Sequence, residues 1–156
     1  MPDRATIRVV HLVAGIVGFV TIAAFWLATV AVEIAGDQTT IAAVKQGILW
    51  GLVVLIPALA ATGGTGINLG GRSKAGAIAI KRRRMVAVAS NGLLVLVPSA
   101  FFLAGRAAAG DVGAAVVAVQ AIELAAGALN LTLMGLNMRD GFRLTAGRQS
   151  ARARMA

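Results

Sequence analysis

Residues 113–138 read GAAVVAVQAIELAAGALNLTLMGLNM, an apolar run with a polar row threaded through it. Steps of four and three residues from Val116 land in turn on Gln120, Glu123, Gly127, Asn130, Met134 and Asn137. Residues three and four apart share one side of a helix, so this spacing predicts a helix with one polar and small face. Hydrocarbon is the wrong surroundings for that face. It must lie against protein or water, and the rest of the chain is expected to shield it.

Outward from this stretch the same hydropathy continues. Of the 156 residues 58% are hydrophobic and 13% charged, with a mean hydropathy of +0.84. A soluble domain has an apolar share nearer ~45–50%. The runs predict spanning helices over about 12–34, 46–66, 85–104 and 113–138, each near or above the ~20 residues that cross the hydrocarbon. Barrel strands are excluded, since they are half as long and alternate. The expected fold is therefore all-α, a single transmembrane domain over 1–156, arranged as an up-down-up-down four-helix bundle. A basic loop at 67–84 and a basic tail at 139–156 complete the plan. The first run exceeds the ~7–15 apolar residues of a secretory signal and is read as a span. No cysteine is present, which removes disulfides and thiolate chemistry.

The net charge of +9 is distributed asymmetrically. Arg4 and Arg8 precede the first run, Arg72, Lys74, Lys81, Arg82, Arg83 and Arg84 separate the second from the third, and Arg139, Arg143, Arg148, Arg152 and Arg154 follow the fourth. Only Lys45 and Arg106 fall on the other side. Short cytoplasmic loops are enriched in Lys and Arg, so both termini are expected in the cytoplasm. The six basic residues from Arg72 to Arg84 are expected to contact anionic lipid head groups, at ~1 kcal/mol for each one near the surface. No soluble recognition module is visible, so no nucleic-acid partner is expected.

In the first run His11, Gly15, Gly18 and Ile22 form a packing face, small residues allowing close helix approach. His11 is a possible ligand, although a lone interfacial histidine is more often solvated or bonded to a carbonyl. Glu33 and Lys45 flank the first outer loop and are expected to pair there. Pro57 and Pro98 each stand six residues after a glycine. Proline removes a backbone donor, so both helices are expected to kink. Residues 66–73 read G-x-x-x-x-G-R-S, one residue from a phosphate-binding loop. That motif follows a strand and opens a helix, which this context does not supply, so its glycines are read as a helix end and turn.

Glu123, near the middle of its run, carries the chemical question. An ionised carboxylate there costs ~2.5–3.5 kcal/mol on insertion scales, so it is expected to be protonated or partnered. One reading makes it packing glue, bonded with Gln120 and Asn130; the other makes it a proton, cation or cofactor site. Asn91 joins Gln120, Glu123, Asn130 and Asn137 in the expected intramembrane seam. No nucleophile has a base within reach, and one histidine without cysteine does not make a hydrolytic zinc site.

Three stretches have distinctive wording: Glu123–Ala128 with Asn130–Gly141, Asn91–Pro98 after Arg84-Met85, and Ala61–Gly64. In these the chain resembles a group of small uncharacterised bacterial four-helix inner-membrane proteins. The resemblance implies a bacterial inner-membrane location and carries no activity. Three functions remain open. The first is a non-catalytic structural or accessory subunit, in a homo-oligomer or a larger membrane complex. The second is proton- or cation-coupled transport of a small solute through the seam at Glu123. The third is binding of haem b or a quinone in the bundle, with His11 or a methionine among Met85, Met134 and Met138 as axial ligand.

Overall fold

The computed structural model describes residues 3–70 and 76–153. Its helices are α1 (Arg4–Ala35), α2 (Gln38–Gly70), α3 (Gly76–Asn91), a π-helical turn (Gly92–Leu96), α4 (Val97–Ala108) and α5 (Ala114–Ala153). No strand occurs among the described residues. Four stretches are long and apolar enough to cross a membrane: Arg4–Ala35, Gln38–Leu69, Ile78–Ala108 and Ala114–Arg143. The third joins α3, the π turn and α4.

The helices are longer than their apolar runs because polar caps start them earlier. Asp3 accepts from the Thr6 amide at 2.6 Å and opens α1, and Asp37 accepts from the Thr40 amide at 2.7 Å beside the start of α2. Each cap satisfies a backbone donor that the first turn leaves free. That bond holds the Asp37 carboxyl below its ordinary pKa. The expected outer loop thus shrinks to Gly36 and Asp37. The expected basic loop at 67–84 is likewise corrected: its described parts belong to α2 and α3. The tail beyond 138 is helical through Ala153. Of the glycines in 66–73, Gly66 sits inside α2 and Gly70 is its last residue, while Gly71, Arg72 and Lys74 lie outside the described residues. At the other turn Gly110 has φ +68°, and Asp111 bonds both Arg106 (2.9 Å) and the Gly113 amide (2.8 Å).

Contacts pair early residues of one helix with late residues of another. Gly18 lies under Leu59 and Gly51 under Phe25, while Trp26 donates to the Leu124 carbonyl at 2.9 Å. The apolar core is small: Ile22, Leu52, Leu55, Val88 and Met134, with Phe19, Phe25 and Leu59 among the side chains packed against it. Large apolar side chains are instead spread over the outside, among them Trp50 at 72% exposure and Leu94 at 73%. Such a surface suits hydrocarbon and would aggregate in water.

The two glycine–proline stretches fold differently. α2 runs through Pro57 as one helix. Before Pro98 the helix widens, and the Val97 amide donates to the Gly92 carbonyl five residues back. A proline in a regular helix strands one carbonyl and presses its ring on it; the wider turn relieves both.

Polar bonds tie α3 to α5. Asn91 donates to the Ala126 carbonyl and to Asn130 Oδ1, both at 2.9 Å, and Asn130 donates to the Val88 carbonyl at 3.3 Å. Farther along, Asn137 donates to the Lys81 carbonyl at 3.4 Å, and Arg84 meets Asp140 at 2.7 Å. Arg84 is thus paired with Asp140 across α3 and α5, while Arg82 and Arg83 are exposed.

Gly51 and Gly47 give a test of this packing. A Cβ at Gly51 would collide with the Phe25 ring, whereas one at Gly47 meets nothing within 4 Å. In detergent unfolding titrations Gly51→Ala is expected to cost about 1–3 kcal/mol, the usual penalty of overpacking. Gly47→Ala should cost nothing, and equal losses in the two would contradict the packing described.

Candidate functional site

Lys45 is the residue that sequence reasoning misplaced. With α2 starting at Gln38, it lies two turns inside the helix and is 2% exposed. Its ammonium donates to Glu123 Oε2 at 2.8 Å and to Gln120 Oε1, and Gln120 Nε2 donates to the same Glu123 oxygen at 3.2 Å. The expected Glu33–Lys45 pair is not formed; Glu33 is exposed at the end of α1. The polar cap at Asp37, followed by Ile41, Val44 and Ile48 at helical spacing, was the available signal. Glu123 is also nearer one end of its helix than expected, about 14 Å along from Ala114 at 1.5 Å per residue. Its partners are Lys45 and Gln120. The expected bond to Asn130 is replaced by the Asn91–Asn130 pair.

An ion pair in such surroundings survives only if both charges are well bonded, because each has lost its water. Here three side chains from two helices satisfy one another. Every buried side-chain nitrogen or oxygen among the described residues has a partner. The seam is therefore closed within one chain, without a second copy.

Beside this cluster lies a chamber of about 520 Å³. Phe25 and Trp26 of α1, Leu52 and Leu59 of α2, Leu96 of the π turn and Leu124 of α5 are among its walls, and Thr29, Glu123 and Asn130 are its polar residues. Along α2 it reaches from Ile48 to Ile67, about 28 Å at 1.5 Å per residue, so it is elongated. Exposed Ile56, Ile67 and Leu93 also line it, placing its mouth on the outer face between α2 and the π turn. A second recess of about 60 Å³, walled by Glu33, Gln38, Asp111 and others, touches Lys45 and Gln120 from the side of the two turns.

The glycine in the polar stripe has a steric cause. A Cβ at Gly127 would stand 2.9 Å from Trp26 Cδ1, so the missing side chain admits the indole. His11 sits elsewhere. Its Nδ1 is 3.1 Å from the Thr62 carbonyl and 3.0 Å from Thr65 Oγ1, and its ring lies 3.3 Å from where a Gly66 Cβ would be. Neither His11 nor any methionine lines the chamber. No cluster of three metal-ligating residues occurs among the described residues.

No family model matches the chain, and neither the curated proteins nor the solved structures contain a match.

The cluster predicts strong coupling. Lys45→Met leaves a buried carboxylate alone and is expected to cost on the order of 3–5 kcal/mol in unfolding titrations. Adding Glu123→Gln should restore a large part of that loss. A double variant no more stable than Lys45→Met would show that the two charges do not act as a pair.

Proposed function

We propose that this is a non-catalytic protein of the bacterial inner membrane that takes a lipid-soluble amphiphile sideways from the bilayer into the chamber. The observation that carries the reading is the chamber itself. It is elongated, almost wholly apolar, and has an outward mouth and a few polar groups, the usual make-up of a small-molecule site. Placement of the basic residues supports an up-down-up-down bundle with both termini cytoplasmic, the ion pair then lying toward the outer leaflet. Resemblance to small bacterial four-helix membrane proteins supports the location.

The other readings draw less support. A haem b site needs an axial ligand, and the chamber offers neither histidine nor methionine. A ring carrying an isoprenoid tail, as in a quinone, suits the elongated shape better. Proton or cation passage through the seam needs an available carboxylate, whereas Lys45 already neutralises Glu123. Self-assembly through the seam loses its motive, since those side chains bond within the chain. An accessory role in a larger complex is compatible with binding, the protein holding a ligand for a partner.

The test is the intact non-covalent mass of the chain extracted gently from its own membrane. One small apolar molecule above the 15.8 kDa chain is expected. Gly63 lines the chamber and a Cβ there meets nothing within 4 Å, so Gly63→Leu should fill the space and lose the adduct while keeping the fold. A chain without an adduct, or an adduct that survives Gly63→Leu, would overturn the reading.

A further inference from the structure

Of the chamber's polar residues, Asn130 lies farther along α5 with its amide already bonded to Asn91 and the Val88 carbonyl, while Thr29 and Glu123 mark one end. Thr29, Lys45 and Glu123 lie at similar depths, about 9, 10 and 14 Å along their helices from Ala35, Gln38 and Ala114. Glu123 lines the chamber, yet both of its hydrogen bonds end on Oε2. Oε1 accepts none among the described residues. Thr29 also lines the chamber and is 3% exposed. A helical threonine commonly bonds the carbonyl one turn back, as Thr62, Thr65 and Thr132 do. The Thr29 hydroxyl makes no such bond, nor any other among the described residues. No fully enclosed side-chain oxygen among the described residues lacks a partner, so this unbonded hydroxyl is open to the chamber's space and can bond what enters it.

Resting on the reading of the chamber as a binding site, we propose that Thr29 and Glu123 receive the ligand's head group, and that this head is a neutral alcohol or phenol. A hydroxyl matches both oxygens: it donates to Glu123 Oε1 and accepts from the Thr29 hydroxyl. The alternatives each fail on one count. An ether or ketone only accepts, which leaves it facing a carboxylate oxygen. An anionic head meets the same oxygen with like charge, because the Lys45 ammonium is not among the chamber's walls and faces the recess instead. An ammonium head adds net charge to a pair that is already neutral, within walls that cannot solvate it. The apolar body of the ligand then runs away from the ion pair, along Leu55 and Leu59 toward Ile67.

The chain has two tryptophans, and Trp50 is 72% exposed on the outer face. Trp50→Phe leaves Trp26, in the chamber wall, as the sole emitter. The full-length variant in phosphatidylcholine vesicles would be titrated with 1-dodecanol, its methyl ether, dodecylammonium and dodecanoate, each compared at equal mole fraction in the membrane. Dodecanol is expected to change Trp26 emission saturably at about tenfold lower mole fraction than the other three, the effect of one hydrogen bond to a charged group. Thr29→Val keeps the side-chain shape and should narrow that preference. An ether as potent as the alcohol, a leading ammonium, or a preference untouched by Thr29→Val would overturn the hydroxyl-head assignment and leave the chamber as a site. Absence of a saturable response to all four would overturn the chamber reading itself.

Discussion

Lys45 and Glu123 can stay inside this bundle only by holding each other. Neither charge has bulk water, and each would otherwise carry a desolvation penalty of several kcal/mol. Their contact at 2.8 Å links α2 to α5 at one depth, with Gln120 closing the remaining valences. That link bears on the positions of other parts. With α2 and α5 tied there, Trp26 of α1 reaches the Leu124 carbonyl next to Glu123, over the space left by Gly127. The chamber lies below this junction.

Asparagine does for α3 and α5 what the ion pair does for α2 and α5. Without a hydrophobic drive between helices in lipid, hydrogen bonds and close packing set the pairing. Asn130, 1% exposed, sits between Asn91 and the Val88 carbonyl. Helices α2 and α3 have no comparable polar tie among the described residues, and the mouth of the chamber falls between α2 and the π turn that follows α3. Strong junctions on two sides and none on the third yield a cavity that opens sideways.

The amino-acid sequence discloses the four spans and the polar face of α5, because hydropathy and the heptad step act within one helix. Partners are another matter, since they depend on how separate helices meet. Gln120, Glu123, Asn130 and Asn137 are visible as a stripe, but the stripe alone does not say that Asn130 meets Asn91 while Glu123 meets Lys45. Lys45 looked like a loop residue because the apolar run begins after it, although the helix starts earlier at a polar cap. Thr29 was overlooked because one threonine in a spanning helix is unremarkable by composition; only its missing intrahelical bond marks it. Pro57 and Pro98 share a local wording, and only Pro98 follows a π turn, so that wording does not decide the local backbone.

The separation of the two charges along the chain bears on how the protein is made. Lys45 precedes Glu123 by 78 residues, so at ~5–20 residues per second the ribosome needs roughly 4 to 16 s to supply its counter-ion. During that interval α2 carries an unpaired ammonium that hydrocarbon cannot solvate. The long lysine stem lets the charge wait at the nearby interface while the rest of α2 is already in lipid. Its counter-ion in the finished fold comes with α5, so the buried position of Lys45 has its partner only once the last helix has been made.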